Sequence, residues 1–343
     1  MSNHELGIGM IGAGGIARFR HVPGLKQIKG VRFVAVANRT KTSSEKAARE
    51  FGFEKACDHW KQVIEDPDVD AVFICTQPYM HREMTLYALE HGKHVFCQAR
   101  MALDLEDALQ MKAADEKSKL TTMLCPPPHY MIVEPTVLRY INEGKIGEIR
   151  HVSLIHATNM FLDPETPLHW RQRADLQGIN LLDVGIMAEV LQKWFGPVST
   201  VNAIGKTWVF ERPSDAEGKT KVDLPDAATV MGEFDSGATL TCLFSGGVYG
   251  DEPHMTIFGS KGTITCYANK PVIILKNDEG EATTQVPENE QGKWMVEANF
   301  IQAVREGRKG SPSFDDGIRY MAFTQAVTDS IASGGNQVRL YRS

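Results

Sequence analysis

The chain has 343 residues, 42% of them hydrophobic and 23% charged, with a formal net charge of −6. That length allows two domains with cores of their own, and the acidic balance argues against the basic face of a nucleic-acid binder. No apolar run reaches the length of a membrane span, and Met1–Leu6 carries no basic segment leading into an apolar stretch, so no membrane association and a cytoplasmic location are expected.

The first signal is the richest. The apolar run at Ile8–Ile11 empties into Gly12-Ala13-Gly14-Gly15-Ile16-Ala17, a Gly-x-Gly-x-x-Ala turn opening a helix expected to reach Lys29. The first glycine permits the turn, the second removes a Cβ that would block a pyrophosphate, and the small third residue lets helix and strand pack closely. Unpaired N–H groups at the helix start then face the phosphates. A second apolar run, Val31–Ala37, follows at the distance a βαβ unit needs. Helix Thr42–Phe51, strand Asp70–Cys75, helix Arg82–His91, strand His94–Cys97 and helix Leu105–Lys117 continue the alternation, which predicts a doubly wound parallel sheet over residues 1–125. Pro126-Pro127-Pro128 marks a break.

Residues 126–343 follow another pattern. A helix at Glu134–Glu143, strand-like Ile149–Thr158 and a helix at Leu181–Phe195 precede the runs Val198–Val209, Ala227–Asp235, Ala238–Ser245, His254–Phe258, Gly262–Tyr267 and Val272–Lys276. Turns such as Asp235-Ser236-Gly237 separate them. Two helices, Trp294–Glu306 and Asp316–Ser333, and a short strand at Val338–Leu340 close the chain. The expectation is an α+β domain with a large, mainly antiparallel open sheet. Arg212–Asp223 has the least pattern and is expected to be a mobile loop. The six cysteines are scattered without a Cys-x-x-Cys pair and are expected to be free thiols. No His-x-His or His-Glu-x-x-His spacing suggests a metal, and none is expected.

Together the glycine turn, Thr76-Gln77-Pro78-Tyr79-Met80-His81, Gly92-Lys93-His94-Val95-Phe96, the Asn142–Ile149 transition and Asp183-Val184-Gly185 resemble the glucose–fructose oxidoreductase, inositol dehydrogenase and MocA family. The resemblance implies a Rossmann domain, a substrate-binding and oligomerisation domain, and homodimers or homotetramers. It implies NAD(P)-dependent hydride transfer at a secondary alcohol or carbonyl of a sugar, sugar acid or polyol. An elimination-type glycosidase using the same cofactor transiently, or a retired dinucleotide-binding protein, is the alternative.

Two departures stand out. The family's Glu-Lys-Pro is Gln98-Ala99-Arg100 here, and the family's later histidine aligns with Met187. Neither Ala99 nor Met187 exchanges a proton, so of the Lys, Asp and His trio only Asp183 survives. The catalytic candidates are therefore Asp183, His169, Tyr130 and Arg100, the last as a fork for an anionic or polarised oxygen. Among possible acid–base groups the order of preference is His169, Tyr130, His129, His156. Arg100, His129, His156, Asn180 and Met187 form the substrate set. The nucleotide set is Gly12, Gly14, Gly15, Ile16, Asn38, Arg39, Thr76, His81, Gln98, Trp170 and Arg171. Asn38-Arg39 ends the second strand where an acid would bind an NAD ribose, and Arg39 suits a 2′-phosphate, so the choice leans to NADP.

Overall fold

Strand β1 (Leu6–Ile11) lies at the middle of a six-stranded sheet with β2 (Val31–Ala37), β3 (Lys55–Cys57), β4 (Ala71–Ile74), β5 (His94–Cys97) and β6 (Thr122–Leu124). Their order is β3-β2-β1-β4-β5-β6, and every pairing is parallel. The computed structural model describes residues 5–214, 218–250 and 252–342. Met1–His4, read above for a leader, and residues 215–217 of the expected Arg212–Asp223 loop lie outside them.

All four residues of β4 are fully buried, as a strand covered by helices on both faces must be. The connecting helices are α1 (Val22–Lys26), α2 (Lys41–Phe51), α3 (Trp60–Glu65), α4 (His81–Glu90) and α5 (Leu105–Lys117). The expected helix after the glycine turn stops at Lys26 rather than Lys29, and its turn over Ala17–His21 has π geometry. The three-residue strands β3 and β6 were not anticipated, because three residues carry no readable period.

The second unit begins at Pro127, with α6 (Glu134–Asn142) leading to β7 (Ile149–Ala157). A one-turn helix α7 (Ala174–Gln177) and α8 (Val184–Phe195) follow, then β8 (Val198–Lys206). Next come β9 (Glu211–Pro213) and β10 (Lys219–Lys221), which pair as a small antiparallel ribbon within the stretch expected to be a loop. The main sheet is completed by β11 (Ala227–Phe234), β12 (Thr239–Ser245), β13 (His254–Gly259), β14 (Gly262–Tyr267), β15 (Val272–Asn277), β16 (Gly280–Gln285) and, after the last helices, β17 (Val338–Arg339). Its order is β16-β15-β14-β13-β7-β12-β11-β8-β17, with β7–β12 the parallel pair. Inner-face residues Val152, Leu154 and His156 of β7 alternate with Ser153 and Ile155, the period of two that a half-buried strand requires. On the outer face Ile204, Met231 and Phe258 are exposed, each in a different cross-strand row.

The division expected at residue 125 needs one correction. Met295–Ile318, containing helix α9 (Val296–Glu306) and the start of α10 (Phe314–Ala332), belongs to the first unit. Phe300 is fully buried there, its ring edge-on to Phe73 at 5.3 Å. The Gly310 N–H donates to the Thr122 carbonyl and Leu124 N–H to the Pro312 carbonyl, both at 2.9 Å, which extends hydrogen bonding beyond β6. No helix among the described residues is long and apolar enough to cross a membrane.

Candidate active site

In the first unit the glycine turn has two requirements of different origin. Gly12 sits at φ +83°, and a Cβ there would lie 2.8 Å from the Cys75 carbonyl oxygen and 3.0 Å from Thr76 Cγ2. The protein itself demands glycine at this position. Gly14 is different, since an added Cβ would find nothing closer than the Gly12 oxygen at 3.9 Å. Gly14, Gly15 and Ile16 are exposed at the start of the helix, where backbone N–H groups lack intrahelical acceptors. A bare, open backbone at a helix start fits a diphosphate.

Asn38, expected at the ribose, is half-buried at the end of β2. Its Oδ1 accepts from the Ala13 N–H at 2.7 Å, and its Nδ2 donates to the Ser43 carbonyl at 3.2 Å, so the side chain ties the turn to α2. Arg39 beside it is exposed. His81 is likewise a tie rather than a ligand contact. It is fully buried between the Thr76 carbonyl, 3.0 Å from Nε2, and the Arg100 carbonyl, 2.9 Å from Nδ1, and burial lowers its pKa. Gln98 and Arg100 are 9% and 2% exposed. Arg100 is therefore too enclosed to grip a substrate anion as expected, because a solute would first have to displace packed groups. Thr76 is half-buried at the end of β4, next to the turn.

In the second unit a group forms around Asp183. This residue stands at the N-cap of α8, yet its side chain makes no capping hydrogen bond. Instead Oδ2 lies 3.0 Å from His156 Nε2, and Oδ1 lies 3.6 Å from an Arg171 guanidinium nitrogen. The helix starts here and not at Leu181, because Leu182 adopts a left-handed φ of +45°. His156 reaches Asp183 from the inner face of β7, and the His129 ring meets the His156 ring edge-on at 5.3 Å. Burial, then His156 and Arg171, lower the pKa of His129. The Arg171 guanidinium lies 4.9 Å from the centre of the Trp170 ring, a cation–π contact that steadies it.

Four expected site residues sit elsewhere or do other work. His169 caps the short turn Trp170–Gln172, its Nδ1 accepting from the Arg171 N–H at 3.2 Å. A ring nitrogen committed to the backbone is a poor proton shuttle, and burial beside Arg171 further lowers its pKa. Tyr130 is fully buried against Trp194, and burial drives its hydroxyl pKa far above the usual value, so it offers neither an accessible nor an ionisable group. Asn180 is fully buried, its Nδ2 donating to the Gln177 carbonyl at 2.6 Å. Met187 is fully buried on α8 and has no surface for a substrate.

Chain spacing suggested no metal ligands, but the fold gathers His129, His156 and Asp183 with ligand atoms within 4.8 Å of one another. Within the group Asp183 Oδ2 lies 3.0 Å from His156 Nε2, and the Arg171 guanidinium on the same carboxylate competes with any cation for its charge.

Residues 6–124 match a family described as "Oxidoreductase family, NAD-binding Rossmann fold", and residues 136–265 match the "GFO/IDH/MocA C-terminal domain". The chain belongs to the Gfo/Idh/MocA oxidoreductase family. Levoglucosan dehydrogenase of Pseudarthrobacter phenanthrenivorans is 27% identical over 87% of each chain, and 1,5-anhydro-D-fructose reductase of Ensifer adhaerens is 27% identical over 95% of this chain and 96% of its own. A solved levoglucosan dehydrogenase in complex with NADH and levoglucosan superposes with a TM-score of 0.87 at 25% identity, over 98% of this chain and all of that one. Within this Gfo/Idh/MocA member, the sequence order of preference ranked His156 last among the imidazoles. Its partnership with Asp183 was signalled only by the alternation Val152-x-Leu154-x-His156, which turns the imidazole inward.

Proposed function

We propose that the chain is an NAD(P)-dependent oxidoreductase acting on a secondary alcohol or carbonyl of a sugar, sugar acid or polyol-like substrate. The observation that carries this reading is the pairing of an open Gly14 backbone, where only a ligand gives glycine a purpose, with an intact Asp183 held by an imidazole and a guanidinium. When bound, the nicotinamide supplies the hydride donor or acceptor. Gly12, Gly14, Gly15 and Ile16 hold the diphosphate, Thr76 and Gln98 border the nicotinamide side, and Arg39 meets the adenosine ribose. Trp170 and Arg171 orient the substrate near Asp183. Similarity to a levoglucosan dehydrogenase and a 1,5-anhydro-D-fructose reductase supports a cyclic polyol skeleton. The test is absorbance at ~340 nm, the reduced nicotinamide band, with levoglucosan, 1,5-anhydro-D-fructose and a panel of cyclic polyols. Cofactor consumption in step with product supports the reading, and no turnover of any member in either direction counts against it.

The exposed guanidinium of Arg39 at the end of β2 supports NADP. Arg39→Glu is expected to weaken NADPH binding at least tenfold, about 1.4 kcal/mol, with NADH affinity changed little. Calorimetric titration of both nucleotides checks it, and equal losses for the two would reject the 2′-phosphate contact. The exposed apolar side chains Ile204, Met231 and Phe258 on the outer sheet face support its burial in a homodimer or homotetramer. Six free cysteines, five of them buried, suit a reducing compartment such as the cytoplasm. A net charge of −6 supports small-molecule work over nucleic-acid or membrane binding.

A further inference from the structure

Resting on the oxidoreductase reading, we propose that Asp183 exchanges the proton with the substrate hydroxyl and that His156, behind it on β7, is the site where that proton comes to rest. Exposure sets the order, since the Asp183 side chain is 28% exposed and that of His156 only 7%. Solute therefore meets the carboxylate first. Alone, a carboxylate beside the Arg171 guanidinium is a weak proton acceptor, because the cation favours its charged form. An imidazole 3.0 Å away changes this. It takes the proton onward, and the carboxylate regains its charge against both the imidazolium and Arg171.

The alternatives nearby do not serve. Met187, one helical turn along α8 from Asp183, has no exchangeable proton. His169 is committed to its cap and the Tyr130 hydroxyl is buried. The charged and titratable groups around the pair include Arg171, which favours the carboxylate, and His129, whose pKa burial lowers. The imidazole that the family resemblance leads one to seek at position 187 is thus supplied from a different element, the sheet.

In the oxidative direction the carbinol C–H bond breaks, and its hydrogen leaves with the electron pair as hydride to NAD(P)+. With neutral His156 carrying its hydrogen on Nδ1, the O–H bond breaks, its proton passes to Asp183 Oδ2 and on to the bare His156 Nε2, leaving carboxylate and imidazolium, and the C=O bond forms. Reduction runs the same transfers backwards. Oxidation accordingly needs the pair deprotonated and falls away as pH drops through its midpoint, while reduction needs the proton and falls away as pH rises.

His156→Gln tests the proposal, because the glutamine amide reaches Asp183 as Nε2 does but carries no transferable proton. With levoglucosan and NAD(P)+ or 1,5-anhydro-D-fructose and NAD(P)H as probes, kcat is expected to fall at least ~100-fold, with KM and NADH affinity within about threefold. The pH inflection of kcat is expected to vanish. A variant within fivefold of the parent, or one that keeps the inflection, overturns the proposal. A merely structural histidine would move stability or KM and leave the inflection in place.

A second measurement needs no turnover. Nitrogen NMR of histidine-labelled full-length chain should show the His156 ring resonances moving in Asp183→Asn while those of distant imidazoles stay, as loss of a hydrogen-bonded carboxylate requires. An unmoved His156 resonance overturns the pairing. Elemental analysis closes the remaining route, since one equivalent of zinc held per chain and released by His156→Gln would make the group a metal centre and overturn the proposal. Failure of the parent on both probes counts against the oxidoreductase reading itself, whereas an active parent with an active His156→Gln counts against the proton pair alone.

Discussion

Replacing Gly12 by valine is expected to abolish nucleotide binding and destabilise the first unit, whereas Gly14→Val is expected to abolish binding alone. The two glycines are two residues apart but serve different masters. At position 12 an L side chain must hold φ +83°, which costs roughly 1–2 kcal/mol before any clash. The added Cβ would also press on the Cys75 carbonyl at 2.8 Å, and backbone has no rotamer by which to step aside. A loss of about 2–4 kcal/mol corresponds to a fall of roughly 5–15 °C in melting temperature. At position 14 the protein leaves a Cβ free space out to 3.9 Å, so the melting temperature should stay within about 2 °C of the parent. Only a diphosphate lying against that backbone would be displaced. Calorimetric titration with NADH and NADPH beside thermal unfolding separates the two outcomes. A Gly14→Val chain that binds nucleotide like the parent would remove the main support for the cofactor seat.

Asp183→Asn should leave the fold nearly intact and reduce kcat by ~10²–10⁴-fold, the range for loss of a proton-transfer group. Asparagine is as good a residue as aspartate at a helix N-cap, and the native carboxylate makes no capping bond that could be lost. The ion pair with Arg171 is long and partly exposed, 3.6 Å with side chains 31% and 28% accessible, so its contribution to stability is at most about 1 kcal/mol. Steady-state kinetics with thermal unfolding on the same preparation decides the matter. A large drop in melting temperature with proportionate loss of activity would mean that Asp183 supports structure, whereas a lost kcat in a chain of normal stability assigns it to chemistry.

Much of the architecture was legible because it is written in local patterns. Continuous apolar runs identify β4 and β5, and the glycine turn identifies the first βαβ unit. Alternation with turn residues identifies most of the open sheet. The lost information is of another kind. Lys55–Cys57 and Thr122–Leu124 become strands because β2 and β5 offer them free edges, which nothing in three residues foretells. The site shows the same limit. Asp183 was visible through its motif, but the choice among imidazoles was not, since it depends on which ring the strand register turns inward and which nitrogen a local cap occupies. His169 looked the better base in a polar loop, and its loop is what commits it to the backbone. Arg100 and Tyr130 looked available until burial was known.

The return of Met295–Ile318 to the first unit bears on how the protein must be made. Phe300 covers the rings of Phe73 and Phe96, so a nascent chain holds that aromatic surface bare until more than 200 further residues, the whole second sheet up to β16 among them, have left the ribosome. A fragment cut at the triple proline would keep every phosphate-facing glycine and still lack the aromatic plug of its own interior.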